Sequence, residues 1–174
     1  STSIWTAYER GDRLYCGHKL PDGMRRHEAL PEPLLTPTTK APMGAHDELT
    51  SREELIVTGA ISEERYDEAA AVGAALFAEG RRWAETRGLI LVDTKYEMGL
   101  DNDGNLTVVD EIHTPDSSRY WYADGYQRAL SAGSSPVQLD KEYLRLWLGE
   151  QGFRGDGPIP EVPVDVRCEA TRRY

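Results

Sequence analysis

The sequence has no long hydrophobic run, little cysteine and no excess of positive charge. Its longest purely aliphatic run, Leu89–Val92, is far shorter than a membrane span of ~20 residues, and no basic start followed by an apolar stretch marks a signal peptide. The formal net charge of −10 disfavours nucleic acid and anionic membranes as partners, because both bind clustered Lys and Arg. Cys16 and Cys168 belong to no CxxC pattern, which indicates two free thiols in a reducing compartment. We therefore expect a cytoplasmic protein that binds neither nucleic acid nor membrane.

The common catalytic fingerprints are also missing. The sequence contains no G-x-S-x-G, no Walker-type glycine loop and no Rossmann fingerprint. Nucleophilic catalysis by Ser or Cys therefore has no support. His46 and His113 are each isolated, so we interpret them as ordinary hydrogen-bonded histidines, with a catalytic base as the alternative for each. A small polyanionic ligand stays compatible with the acidic composition, since it needs only a local basic site, often with a metal.

The length and the Pro/Gly distribution suggest one domain with an extended arm. A chain of 174 residues is long enough to bury a core, so we expect a single domain over 1–174. Residues 17–50 are rich in Pro and Gly, which favours an ordered, extended arm across a surface, with a disordered linker as the alternative. The chain starts without Met and stops directly after a new helical start. Both features indicate a fragment.

Local signals predict three helices. Ser51 and the glutamate three residues later have capping-box spacing, which is typical of a short helix. A long helix is predicted over Ser62–Arg87, with Gly73 and Gly80 on its apolar stripe, where a neighbouring element can pack very closely. A third helix is predicted to begin at Asp140.

Two predicted strands carry a pair of carboxylates. The strands are Leu89–Met98 and Leu106–Ile112, and Asp103-Gly104 is a strong signal for a two-residue turn between them. Counting outward from that turn puts Glu97 directly opposite Asp110. Like charges so close destabilise a sheet unless something compensates them, and Mg²⁺ carrying a nucleotide's phosphates would do so. A solvated strand face with ordinary mixed charges is the alternative.

The same strand face and the following loop offer groups for an anion. Lys95 lies with Asp93 and Glu97 on one face by strand alternation, beside the proposed ion. After the second strand, a Pro-Asp turn at 115–116 is followed by two hydroxyls and Arg119, a combination that suits phosphate or carboxylate. Arg145 could add a second guanidinium. The alternative is a helix N-cap at residue 116 with Arg119 merely exposed.

Four segments then resemble a known family. They are LVDTKYEMG (Leu91–Gly99), VVDEIHTPDSSRYW (Val108–Trp121), PEPLLTPTTKAPMGAHDE (Pro31–Glu48) and LDKEYLRLWL (Leu139–Leu148). In order and spacing they resemble the signature segments of the phosphoribosylaminoimidazole-succinocarboxamide synthases, the SAICAR synthetases. Met98 departs from the family's usual Phe, a mild change among apolar residues. The match spans nearly the whole chain.

The resemblance implies a fold and a reaction. The fold is α+β, an antiparallel sheet with helices packed on one face, as in the ATP-grasp-like C-terminal part of these enzymes. The reaction is an ATP- and Mg²⁺-dependent ligation of purine biosynthesis. ATP activates the carboxylate of carboxyaminoimidazole ribotide, and L-aspartate then attacks, giving SAICAR, ADP and phosphate. From the resemblance we expect this chain to lack the family's N-terminal domain. A non-catalytic or incomplete magnesium-nucleotide- or ribotide-binding fragment and a kinase-like phosphotransferase are the alternatives, and a homo-oligomer or association with that domain is expected.

The resemblance also implies roles for individual residues. Glu97 and Asp110 would hold the magnesium–nucleotide, and a segment with Lys40, His46 and Asp47 would close over it. The remaining matches are Asp93 and Lys95 as catalytic residues near the ribotide, Ser3, Ser118, Arg119 and Arg145 as substrate-binding residues, and Asp140 and Lys141 without an assigned role.

Overall fold

The computed structural model describes residues 3–39, 48–139, 141–153, 155 and 157–173. Runs of helices and runs of antiparallel strands follow one another along the chain, which confirms the predicted α+β class. The chain divides into two compact units, Ser1–Ala75 and Leu76–Tyr174. In the described ranges no helix is long and apolar enough to cross a bilayer. The elements are α1 (Ile4–Glu9), β1 (Leu14–Tyr15), β2 (His18–Lys19), α2 (Arg52–Val57), α3 (Glu63–Glu85), β3 (Leu89–Thr94), β4 (Glu97–Leu100), β5 (Leu106–Val109), β6 (Ser118–Tyr122), α4 (Tyr126–Ala132), α5 (Glu142–Glu150) and α6 (Val164–Arg173).

The first unit is built on a small apolar core. Tyr8 of α1, Tyr15 of β1 and Leu20 beyond β2 are buried together. The Arg13 guanidinium lies 3.9 Å from the centre of the Tyr8 ring, which adds a cation–π contact at the edge of this core. The core therefore joins the first helix to the β1–β2 hairpin.

The stretch predicted as an extended arm, 17–50, begins within this hairpin and includes β2. Between residues 20 and 37 the chain forms neither helix nor strand. It is attached by hydrogen bonds, since the Met24 amide donates to the Tyr8 hydroxyl at 3.1 Å and a His18 ring nitrogen bonds the Leu35 carbonyl oxygen at 2.7 Å. The full extent of the arm stays a prediction, because residues 40–47 lie outside the described residues.

The predicted helices form where their capping signals lie. Ser51 Oγ accepts from the Glu54 amide at 3.2 Å and Glu54 Oε2 accepts from the Ser51 amide at 3.0 Å, which confirms the capping box of α2. Ser62 Oγ accepts from the Arg65 amide at 3.2 Å at the start of α3. The third predicted helix corresponds to α5, and its expected first residue, Asp140, lies outside the described residues.

The strand pairing differs from the prediction. β3 pairs with β6 and β4 pairs with β5, each antiparallel, and the β1–β2 hairpin is a third two-stranded ladder. Lys95 and Tyr96 separate β3 from β4, so the expected single strand over 89–98 is wrong. The segment predicted as an anion-binding loop or a helix start ends in a strand, since Ser118 and Arg119 belong to β6. Its partner, β3, lies 24 or more residues earlier in the chain, as the Thr94–Ser118 pair illustrates.

The turn of the β4–β5 hairpin has three residues, not two. The Gly104 amide donates to the Asp101 carbonyl at 3.0 Å, and Gly104 has a φ of +81°. The Asp101 carboxylate accepts from the amides of Asp103 at 2.9 Å and Asn105 at 2.8 Å, which stabilises the longer loop. These bonds lower the pKa of Asp101 below its ordinary value, the Asn105 side chain contributing most. The register therefore shifts by one residue.

A β-bulge at Val92 decides which side chains of β3 share a face. Leu91 pairs with Tyr120 but Asp93 pairs with Arg119, so one residue of β3 is left over between the two pairs. In a regular strand Leu91 and Asp93 would point to the same face. The bulge places the buried leucine and the charged aspartate on opposite faces.

Candidate functional site

Asp93 and Arg119 form an ion pair across the β3–β6 ladder. Arg119 Nε donates to Asp93 Oδ1 at 2.8 Å and to Oδ2 at 3.0 Å, and its Nη2 also contacts Oδ2. The two side chains are 46% and 49% exposed. Pairs this exposed contribute about 0–1 kcal/mol to stability. An anionic ligand can therefore reach the guanidinium at little energetic cost.

Ser118, the neighbour of Arg119, points to the opposite face and is buried, with 3% of its surface exposed. Its hydroxyl lies 2.8 Å from Thr94 Oγ1 and 3.3 Å from Ser117 Oγ. Satisfied internal hydrogen bonds are what a buried hydroxyl requires. Ser118 therefore holds the two strands together at the point where Arg119 is presented, and a direct substrate contact by Ser118 stays a prediction.

Lys95 and Glu97 lie where β3 gives way to β4. Lys95 Nζ is 2.8 Å from Glu97 Oε1, and the Glu97 side chain is 23% exposed. The pair agrees with the predicted common face of these two residues. Lys95 thus compensates part of the negative charge of Glu97, and it follows Asp93 by two residues. The ladder and the start of β4 thereby present cationic and anionic groups close together in the chain.

Asp110 does not lie directly opposite Glu97, which corrects the predicted register. Glu97 pairs with Val109, because the turn contains three residues. A strand continuing regularly through Asp110 would turn its side chain to the face opposite Glu97. Asp110 instead has a φ of +68°, a left-handed conformation that Asp tolerates better than most residues and that ends the alternation. The two carboxylates lie at the same end of the β4–β5 hairpin.

The donor set of this carboxylate pair suits a hard cation. Mg²⁺ prefers oxygen ligands, and it usually takes one or two carboxylates with the rest from waters and phosphates. Within the described ranges no group of three or more His, Cys, Asp or Glu side chains is arranged to hold a metal. A cation held by Glu97 and Asp110 would therefore depend on a nucleotide or on water for its remaining ligands.

The loop between β5 and β6 is fixed from two sides. The Ser118 amide donates to the Thr114 carbonyl at 2.9 Å, and the Thr114 hydroxyl contacts the Glu111 carboxylate. Asp116 accepts from Lys141 Nζ at 2.8 Å, which links the loop to the residue just before α5. Residue 116 lies in a turn before a strand, so the alternative of a helix N-cap there is wrong.

Lys141 has a structural partner that the sequence did not reveal. Through Asp116 it connects the loop before Arg119 to α5, the helix that carries the exposed Arg145. The Arg145 amide donates to the Lys141 carbonyl at 3.1 Å in the first turn of that helix. Both guanidiniums expected to bind substrate are thus attached to elements that this ion pair joins.

Tyr96 was not predicted as a site residue, and His113 was interpreted only as an ordinary hydrogen-bonded histidine. The Tyr96 hydroxyl and His113 Nε2 are 2.5 Å apart. Burial raises the pKa of Tyr96 to about 12 and lowers the pKa of His113. The position of Tyr96 between Lys95 and Glu97 could have marked it as a site residue, but the sequence pattern did not indicate that its partner is His113.

The remaining predicted site residues are Ser3, Lys40, His46, Asp47 and Asp140. Ser3 is the N-cap of α1 and belongs to the first unit, whereas the strands and α5 belong to the second. Lys40, His46, Asp47 and Asp140 lie outside the described residues. Their expected roles stay predictions.

Comparison with known proteins identifies the family. A model of SAICAR synthetase matches residues 3–159. The chain belongs to the SAICAR synthetase family. Among SAICAR synthetases, the Bacteroides thetaiotaomicron phosphoribosylaminoimidazole-succinocarboxamide synthase is 51% identical over 99% of this chain and 55% of that protein. The chloroplastic enzyme of Arabidopsis thaliana is 44% identical over 99% of this chain and 42% of that protein. The chain thus spans about half the length of the curated relatives it matches.

Solved SAICAR synthetase structures share the fold. The SAICAR synthase of Saccharomyces cerevisiae, complexed with SAICAR, superposes with a TM-score of 0.79 at 30% identity, covering 98% of this chain and 52% of that one. A type-2 SAICAR synthetase in complex with ADP gives a TM-score of 0.58 at 25% identity, covering 90% of this chain and 60% of that one. These neighbours agree with the mixed helix and antiparallel-strand architecture.

Proposed function

We propose that this SAICAR synthetase chain carries part of the active site of an ATP-dependent ligase of purine biosynthesis. The reaction joins L-aspartate to the carboxylate of carboxyaminoimidazole ribotide and yields SAICAR, ADP and phosphate. The observation that carries the proposal is the exposed Arg119–Asp93 pair on one ladder, followed within a few residues by Lys95, Glu97 and the hairpin that ends at Asp110. Relatives named for this reaction and solved relatives complexed with SAICAR or ADP support it.

The β3–β6 ladder is assigned to the ribotide. Arg119 would bind its phosphate or carboxylate, since a guanidinium presents paired donors to such groups, and Arg145 would add a second guanidinium. Asp93, an acceptor of hydrogen bonds, orients Arg119 and is the candidate to receive a proton as the aspartate amine attacks. The Lys95 ammonium would stabilise negative charge that develops on the reacting carboxylate. Asp93 and Lys95 are therefore proposed as the catalytic pair.

The start of the β4–β5 hairpin is assigned to the nucleotide. Glu97 and Asp110 would hold Mg²⁺ as carboxylate ligands, and the ion, when bound, neutralises the charge of the ATP phosphates. Lys95 Nζ lies 2.8 Å from Glu97 Oε1. When Mg²⁺ binds to the Glu97 carboxylate, the Lys95 ammonium would be released from this ion pair and could contact an anionic substrate group. Lys40, His46 and Asp47 are proposed to contact the nucleotide on the strength of the family resemblance alone.

A binding fragment without turnover is the second candidate. It is favoured by the coverage of the relatives, of which the chain spans about half. Such a fragment would bind magnesium-nucleotide or ribotide without forming SAICAR. Cytoplasmic location, a homo-oligomer and association with an N-terminal domain stay predictions.

ADP release separates the candidates. The chain is supplied with ATP, Mg²⁺ and carboxyaminoimidazole ribotide, with and without L-aspartate, alone and as a fusion that supplies the part of the Bacteroides relative it does not span. Aspartate-dependent release in either sample supports the ligase. ADP release that is the same with and without L-aspartate indicates a kinase-like activity. No ADP release from the fusion contradicts the ligase proposal. Nucleotide binding in calorimetry without ADP release would support the second candidate, the binding fragment.

Glu97→Gln tests the proposed nucleotide site, and Glu150→Gln at the exposed end of α5 is the matched control.

A further inference from the structure

Two connections join the β4–β5 hairpin to the β3–β6 ladder. Lys95 and Tyr96 link β3 to β4, and residues 110–117 link β5 to β6. Each ladder contains only its own two strands. One backbone hydrogen bond, from the Lys95 amide to the Ser117 carbonyl oxygen at 3.0 Å, continues the β3–β6 pairing into the two connections. Beyond this backbone bond, side chains of the two connections contribute to the orientation of the hairpin.

A side-chain hydrogen bond also crosses from the first connection to the second. The Tyr96 hydroxyl lies 2.5 Å from His113 Nε2, and the two rings meet edge to face with centroids 5.5 Å apart. A phenol hydroxyl and a neutral imidazole form a complementary donor–acceptor pair. The bond closes the base of the hairpin.

His113 is also held by two neighbours outside the connections. The Tyr120 hydroxyl of β6 donates to the His113 carbonyl oxygen at 2.7 Å. On its other side the imidazole lies against Gly80 of α3, where an added Cβ would come within 2.4 Å of the ring. His113 has a φ of +59°, a conformation that persists only where the surroundings determine it. The imidazole is thus anchored to the ladder and to the long helix.

We propose that the Tyr96–His113 pair is a positioning clamp that fixes the β4–β5 hairpin on the β3–β6 ladder. The clamp sets the magnesium and nucleotide carboxylates, Glu97 and Asp110, relative to Arg119 on the substrate ladder. This inference rests on the proposed function, which assigns those residues to nucleotide and substrate. Neither Tyr96 nor His113 is required to touch a ligand.

The structural arm of the test measures the orientation of the two ladders. Tyr96→Phe removes only the hydroxyl, and His113→Asn removes the ring while keeping a residue that tolerates the left-handed backbone. Tyr122→Phe, 38% exposed on β6, is the control. We expect backbone residual dipolar couplings of both ladders to fit one alignment in the unaltered chain and in the control. In the two clamp variants the couplings of β4–β5 shrink relative to those of β3–β6. A single alignment in the clamp variants too would overturn the proposal.

The kinetic arm measures positioning by the ADP-release assay on whichever sample is active. We expect kcat to fall about tenfold to a hundredfold in each clamp variant, with little change in the KM for L-aspartate. The double variant should be no worse than the worse single variant, because both remove one bond. Unchanged kcat in the single variants would also overturn the proposal. If the unaltered protein releases no ADP, the proposed function fails by itself, and the dipolar couplings then decide the clamp alone.

Discussion

Replacing Gly80 with Ala tests the contact between α3 and the His113 ring. The added Cβ would lie 2.4, 2.6 and 2.9 Å from three atoms of the His113 ring. Ordinary contact between carbon atoms begins near 3.5 Å, so the ring must move by about 1 Å. Overpacking of this kind costs about 1–3 kcal/mol, while Ala gains about 1 kcal/mol over Gly in a helix. We expect a net loss of about 1 kcal/mol in the free energy of unfolding.

The sign should reverse when the imidazole is gone. In a His113→Asn background the same Gly80→Ala substitution meets no ring, so only the helix-propensity gain of about 1 kcal/mol remains. The coupling between the two positions is then about 2 kcal/mol, well above the error of a double-mutant cycle. Urea unfolding followed by circular dichroism measures all four proteins.

An exposed position on the same helix measures how much an Ala-to-Gly change alone alters the free energy of unfolding. Ala78 is exposed in α3, two residues before Gly80. Ala78→Gly should cost about 1 kcal/mol in both backgrounds. Stabilisation by Gly80→Ala in the unaltered background would show that the ring does not lie on the helix, and the account of His113 as an anchored residue would be refuted.

Three other measurements address separate parts of the chain. Ser51→Ala should lower the free energy of unfolding by about 1 kcal/mol, because the Glu54 amide in the first turn of α2 loses its hydrogen-bond acceptor. An unchanged urea midpoint would contradict the capping box. Glu97→Gln and Asp110→Asn should each abolish magnesium–ATP binding in calorimetry with an unchanged circular dichroism spectrum, and unaltered affinity in both would sink the metal assignment. Hydrogen bonds, chiefly from the Asn105 side chain, hold the pKa of Asp101 below its ordinary value. The stabilising effect of its carboxylate is therefore present above the ordinary Asp pKa of about 3.9 and is lost as the pH falls through the lower folded-state pKa. Asp101→Asn should therefore flatten the acid limb of the stability curve, and an identical limb in both proteins would contradict the carboxylate's role in the turn.

The helices were predictable because their signals are local. The capping box at Ser51, the hydroxyl of Ser62 and the stop at Gly88 each act within one turn of the helix they bound. The close approach at Gly80 was also expected from its place on the apolar stripe, although its partner was not. A position on the apolar stripe of a helix indicates that another element packs against it, whereas the identity of that element depends on the rest of the fold.

The strand pairing failed for a different reason. Asp103-Gly104 is a valid two-residue turn signal, but the Asp101 side chain supplies acceptors for a three-residue turn, and this choice moves Glu97 opposite Val109. The pairing of β3 with β6 joins segments that are separated by the whole hairpin. Alternation along one strand contains no information about such a partner.

The candidate site was predicted in part. Local pattern put Lys95 beside Glu97, and the structure pairs them at 2.8 Å. The Asp93–Arg119 pair was beyond reach, because it depends on the long-range ladder and on the bulge. Residue roles came from the family resemblance and stay predictions.

The bulge at Val92 gives β3 a feature that concerns insertions and deletions. Elsewhere in a strand, the loss of one residue turns every later side chain to the other face. Loss of Val92 would instead make Leu91–Tyr120 and Asp93–Arg119 consecutive pairs of a regular ladder, with each side chain on the face it already occupies. An alignment of related sequences should therefore tolerate a gap in this strand at position 92 before any other position, and a shortened strand of that kind would still present its charged pair.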